Sequence, residues 1–153
     1  MQCKWANIMS SALPAILSLI IGSSLTFIFF PGLMSYDSVY QYQQAIFIQP
    51  VTDAHPAIMV FLWRALLSVY NNSGMLLIFH QIIYWLSITL FAFMVSDRLL
   101  VRVLTILGIG LLPPLAIHSI HLWKDVGMMS CFALAISALT CLLYTSPSPR
   151  DRS

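Results

Sequence analysis

Long apolar runs, broken by short polar stretches, make up most of the chain. The first run covers residues 8–30 and is interrupted only by small polar residues and Pro14. A helix needs about 20 apolar residues to cross hydrocarbon, so this run predicts a span. It is too long for the core of a signal peptide, and Phe29-Phe30-Pro31 makes a poor cleavage site. A second span is predicted over 75–95, with His80, Gln81, Tyr84 and Trp85 inside it. A third covers 99–117, with Pro113-Pro114 near its end. A fourth begins at Val126 and is still apolar at Thr140.

Two shorter segments lie between the first and second spans. Residues 56–70 are apolar but number only about 15, which is short for a crossing. Arg64 at the centre would cost at least about 2.5 kcal/mol in hydrocarbon. Trp63, Arg64 and Tyr70 suit an interface better. This segment is therefore predicted to lie on the membrane surface. Residues 37–47 predict a second surface helix, with Gln41, Gln43 and Gln44 facing water. Val39, Tyr40, Ala45, Ile46 and Phe47 form its apolar side. The expected fold class is all-α: a polytopic transmembrane bundle of about four spans, with surface helices in a first outer loop covering 31–74.

Composition removes the alternatives. Of 153 residues, 59% are hydrophobic and 8% charged, and the mean hydropathy is +0.88. A soluble domain carries about 25% charged residues. So few charges cannot cover a water-facing surface. That excludes an ordinary soluble domain, a disordered chain and a nucleic-acid binder. The net charge of +2 is too small to argue for an acidic partner. Cys3 and Cys131 lie far apart and suggest neither a disulfide framework nor a metal site.

Residues 141–153 stand apart. They resemble the in-frame translation of a transposase adapter used in shotgun DNA sequencing, and CLLYTSPSPRD matches without a gap. Such a scar is set aside from fold reasoning. The expectation is that 1–140 forms the N-terminal part of a longer multipass domain, inactive on its own.

The positive-inside rule predicts topology. Lys4 precedes the first span, and Arg98 and Arg102 flank the turn between the second and third. All three fall on the cytoplasmic side if 56–70 does not cross. The 31–74 loop and the 118–125 loop then share the outer side.

Polar groups are scarce, so their grouping carries information. Asp97 sits beside Arg98 and flanks a span. Asp37, Asp53, His55, Arg64, His118, His121, Lys124 and Asp125 all fall on the predicted outer side. Asp37 either caps the helix that follows or acts chemically, taking a proton from a hydroxyl or binding a cation. His55, just before Pro56, either opens a helix or contacts a substrate. His118 and His121 share one face of a helical turn, but no third metal ligand is fixed by spacing. Trp123 reads as an interface anchor. Lys124-Asp125 is either a flanking ion pair or a site for phosphate at Lys124 and a divalent cation at Asp125. His80, the one ionisable group well inside a span, reads as a helix–helix hydrogen bond. Asn71-Asn72-Ser73 matches a glycosylation acceptor but reads better as a polar turn.

The order of these landmarks resembles a family. Pro31-Gly32, Tyr36-Asp37-Ser38, His55-Pro56 and Trp123-Lys124-Asp125 follow one another as in the N-terminal part of GT-C-class polytopic glycosyltransferases. Protein mannosyltransferases, lipid A aminoarabinose transferases and uncharacterised bacterial multipass members belong to that class. The resemblance covers most of 8–140. It departs at Ser38, where better-known members often carry a second acid, and at Ala57, where relatives often have proline. It implies an integral protein of the bacterial plasma membrane and a polyprenyl-phosphate sugar donor. Asp37 would be the catalytic base, with Tyr36, His55, Arg64 and Lys124 binding substrate. A metal at Asp125 is a further implication, although metal dependence varies across the class. The competing expectation is a non-catalytic transporter or flippase subunit. It accounts for the spans but not for acids and imidazoles collected on one side, since transporters more often place ionisable groups near the midplane.

Overall fold

The structure is a computed structural model and describes residues 12–52 and 55–145. Its elements are α1 (Ala12–Phe29), α2 (Tyr36–Ala45), α3 (Ala57–Val69), α4 (Met75–Val95), α5 (Leu99–Gly110), α6 (Pro113–Ser119) and α7 (Lys124–Thr145). No strand occurs among the described residues. α1, α4 and α7 are long and apolar enough to cross a membrane. α5 and α6 pass the same test only as a pair, bent by 68°. The chain is thus an integral membrane protein, an all-α bundle with three spans among the described residues, or four if the bent pair counts as one. Asp53 and Lys4 lie outside the described residues.

α4 is the hub and packs against α1, α5 and α7. Small residues let its neighbours approach closely. A Cβ at Gly22 of α1 would meet the Trp85 indole at 2.6 Å, and one at Gly110 of α5 would meet it at 2.6 Å. One indole therefore fills the space between three helices. Its N–H donates to Gln81 Oε1 at 2.9 Å, and Tyr84 packs edge-on with ring centroids 5.4 Å apart. Further along α1, the Ser18 and Thr89 hydroxyls lie 2.8 Å apart.

The third predicted span is not one helix. α5 ends at Gly110, and Pro113 and Pro114, which suit a helix's first turn, begin α6. A break inside hydrocarbon frees backbone groups that lipid cannot satisfy. α4 supplies their partners. The Tyr84 hydroxyl donates to the Gly110 carbonyl at 2.9 Å. The Gln81 amide donates to the Ser119 carbonyl at 3.0 Å and lies 3.1 Å from its hydroxyl.

Phe30 packs against Gly74, so the chain leaves the bundle and re-enters it at the same end. α2 and α3 pack on each other at that end. Asn72 Oδ1 accepts the Gly74 N–H at 2.8 Å and forms the polar turn expected there. At the other end Arg102 is nearly buried. It donates to the Ser96 carbonyl at 2.7 Å and to Asp97 at 3.1 Å, with the Phe93 ring 4.4 Å away. Asp97 is thus an ion-pair partner as well as a flank.

Two expectations at the loop end are corrected. Trp63 is not at an interface. It is fully buried among Met59, Val60, Leu76 and Leu77, with the Tyr42 ring tilted against it at a centroid distance of 5.1 Å. Its N–H donates to the Ser73 carbonyl at 3.3 Å. In α2 the glutamines do not all face water, although Ala45 of the expected apolar side is in the core. Gln41 and Gln44 are buried, while Val39 and Phe47 are exposed. Beside a bilayer the apolar medium lies outside the protein, so polar side chains find their partners inside. Gln44 accordingly donates to the Pro50 carbonyl at 2.9 Å.

Arg64 caps the C-terminus of α2. Its guanidinium donates to the Gln44 carbonyl at 2.8 Å and the Ala45 carbonyl at 3.2 Å, and lies 4.0 Å over the Phe47 ring. Cations suit a helix C-terminus. Arg64→Met is expected to destabilise this hairpin by about 2 kcal/mol, the scale of one charged hydrogen bond. Limited proteolysis in detergent checks it: cleavage between α2 and α3 should quicken at least tenfold, and unchanged cleavage would deny the capping role.

Candidate functional site

Two segments far apart in sequence are tied together at the loop end. The Leu33 N–H donates to the Ile120 carbonyl at 3.0 Å, and the Leu122 N–H donates to the Leu33 carbonyl at 3.0 Å. The Ser38 hydroxyl adds a buried bond to the Leu122 carbonyl at 2.9 Å. Gly32 makes this approach possible. Its φ is +105°, and a Cβ there would lie 2.8 Å from Leu122 Cδ2. From the opposite side, α4 holds the same segment through Gln81 at Ser119 and His80 Nδ1 at the His121 carbonyl, 3.4 Å away. The hydrogen bond expected of His80 therefore runs to a loop rather than to a helix.

Gly32→Ala combines a strained backbone with a clash and should cost about 1–3 kcal/mol locally. Hydrogen exchange at the Leu33 and Leu122 amides reports it. Both should exchange at least fivefold faster than in the wild type, and equal rates would reject the strain argument.

Asp37 stands in the first turn of α2 without capping it. The cap is Ser35, whose hydroxyl oxygen accepts the Ser38 N–H at 3.3 Å. The Asp37 side chain is 67% exposed, and its Oδ1 lies 3.8 Å from His55 Nε2. That separation is beyond a hydrogen bond, yet close enough for one proton-carrying group to act on the other. His55 is more enclosed, with its ring tilted against Tyr40 at 6.1 Å. Tyr36, the residue before Asp37, is almost fully exposed. The fold thus brings Asp37 and His55 together. Arg64 instead points its donors at the end of α2.

Lys124 and Asp125 open α7, immediately beyond the tied segment. The rings of His118, His121 and Trp123 cluster before them, with His121 and Trp123 centroids 4.6 Å apart. Among the described residues, no group of three or more His, Cys, Asp or Glu side chains is placed to hold a metal. Asp125 alone is too thin a donor set for a resident divalent cation, which takes six or more oxygens.

A lateral groove of about 870 Å³ runs between α1 and α4. Leu19, Phe27, Ile82 and Leu86 line it, with the Ser18 and Thr89 hydroxyls inside. Sequence reasoning missed Ser35, Ser38 and Tyr40. Ser35-x-x-Ser38 is a helix-start spacing, and Tyr40 lies one turn from Asp37, so both signals were available.

What fold and site define is a polytopic α-helical membrane protein with an exposed carboxylate–imidazole pair at one end of its bundle. No known protein family, curated protein or solved structure matches the chain.

Proposed function

We propose that the protein is a membrane glycosyltransferase that moves a sugar from a polyprenyl-phosphate donor to an acceptor hydroxyl. One observation carries the reading. Asp37 is exposed, released from capping and paired with His55, on a loop tied by backbone bonds to the segment that leads into Lys124. In the proposed reaction Asp37 takes the proton of the acceptor hydroxyl. The oxygen attacks the anomeric carbon as its bond to the phosphate breaks, with inversion. The departing lipid phosphate gains negative charge, which Lys124 offsets. His55 orients Asp37, and Tyr36 is positioned to meet the sugar or the acceptor. The groove between α1 and α4 offers an apolar path for the carrier's tail, which favours a lipid-linked donor.

The reading includes orientation. The loop end faces the outer side of a bacterial plasma membrane, and the Arg102 end and N-terminus face the cytoplasm. A reporter fused after Arg98 should be active only inside the cell, and external activity would reverse the assignment.

The main test uses membrane vesicles carrying the protein. Supplied with radiolabelled polyprenyl-phosphate sugars, they should yield labelled acceptor above empty vesicles. Failure with every lipid-linked sugar, by protein verified in the membrane, would reject the transferase reading.

A further inference from the structure

Among the described residues, four buried side-chain atoms have no hydrogen-bond partner, and two of them flank the start of α7. Trp123 Nε1 immediately precedes the helix and can only donate. His80 Nε2 reaches in from α4, where His80 has no exposed surface at all. A Cβ at Gly127, in the opening turn of α7, would lie 3.0 Å from that nitrogen. An orphaned buried nitrogen calls for an explanation such as a bound group. Two of them bracketing one helix start call for a single ligand.

The chemistry of that ligand follows from the donors. The first turn of a helix presents N–H groups without intrahelical acceptors, on the positive side of its dipole. Lys124 adds a full positive charge at the first position. Trp123 adds an indole N–H. His80 Nδ1 faces the His121 carbonyl and so carries a proton. That leaves Nε2 to share one further proton with a ligand oxygen. A group rich in acceptor oxygens, one of which can carry a proton, satisfies all of them. Phosphate is such a group, and helix N-termini bind it readily.

We propose that the start of α7 is a phosphate site whose side-chain donors are Trp123, Lys124 and His80. Its place in a reaction rests on the transferase reading, where it would receive the lipid phosphate. Its existence rests on the orphaned nitrogens. Gly127 is part of the site, because any side chain there would press on His80 Nε2. His121 serves through its backbone, and Gln81 and Ser38 hold the same segment in register from two sides. Asp125 is exposed at the second position, where it faces solvent.

The test is binding, with no sugar transfer required. The full chain, ¹⁵N-labelled on tryptophan, is placed in nanodiscs of phosphatidylcholine. The Trp123 indole N–H resonance, assigned by its loss in Trp123→Phe, is followed during two titrations. One adds inorganic phosphate, and the other adds phosphatidic acid to the disc. A saturable shift with either probe supports the site, and the probe that binds more tightly identifies its source as free phosphate or lipid headgroup. No shift with either overturns it. Affinity is then read from the ³¹P signal of the tighter probe. Trp123→Phe, which keeps an aromatic ring but removes the N–H with the pyrrole half of the indole, and His80→Gln should each weaken binding roughly tenfold. Should His80→Gln misfold, Gly127→Ala takes its place, with the same loss expected. Unchanged affinity in Trp123→Phe, with loss only in Lys124→Gln, would reduce the site to a surface charge and overturn the proposal. Phosphate binding without any sugar transfer would sink the transferase reading alone. Sugar transfer without phosphate binding would sink this site alone.

Discussion

Asp37→Asn is expected to remove sugar transfer, by a factor of about 10²–10⁴, the range a positioned general base contributes. The amount of protein in the membrane should not change. The substitution keeps the side chain's size and removes only its ability to hold a proton. Ser35 supplies the helix cap, so α2 does not depend on the carboxylate. The residue is largely exposed, so no buried partner is orphaned. Glutamate at this position should recover part of the rate, since the chemistry survives while the reach changes. His55→Ala should lose less than Asp37→Asn, because the 3.8 Å separation makes it an orienting neighbour. Initial rates of label transfer, normalised to protein by immunoblot, decide the matter. A wild-type rate from Asp37→Asn would remove Asp37 from the chemistry.

The largest loss of stability is expected at Trp85. Its indole lies against Gly22 and Gly110 and bonds to Gln81, so truncation opens a space between three helices at once. Trp→Ala in a core costs about 3–5 kcal/mol. Trp85→Ala should therefore lower the midpoint of thermal unfolding in detergent by several degrees and raise the aggregated fraction. Gly22→Val approaches the same contact from the other side. Its added atoms meet a rigid ring rather than a flexible chain end, and overpacking of this kind costs about 1–3 kcal/mol. If both variants melt with the wild type, the indole is not the keystone between α1, α4 and α5.

Much of the architecture is legible in residue order. The apolar runs place α1, α4 and α7, and the short run at 56–70 anticipates α3 almost to the residue. Pro113-Pro114 marks where the third span breaks. Its partners, Tyr84 and Gln81, could not be read, because both belong to a helix some 30 residues away. α2 shows a deeper limit. Periodicity tells which residues share a face, but it does not tell which face points inward. Gln41, Gln44 and Ala45 all turn inward, so polar and apolar residues share the buried face of α2. Arg64 and Trp63 were assigned by residue type to an interface. Their surroundings gave one the carbonyls of α2 and the other a core. At the site, Asp37 and the His55 position stand out as scarce polar groups. Their pairing depends on the turn between α2 and α3, which no spacing encodes.

The tie between Ser38 and Leu122 spans 84 positions, and that distance has a consequence in time. Ribosomes add about 5–20 residues per second, so roughly 4–17 s separate the appearance of one partner from the other. Through that interval α1, α2 and α3 have emerged, while Leu33 and Ser38 still lack their partners at Ile120 and Leu122. The buried Ser38 and left-handed Gly32 wait for a segment not yet made. Assembly of this corner is therefore a late event in biosynthesis. A nascent chain stalled before Leu122 should carry its first spans in the bilayer and still lack a formed site.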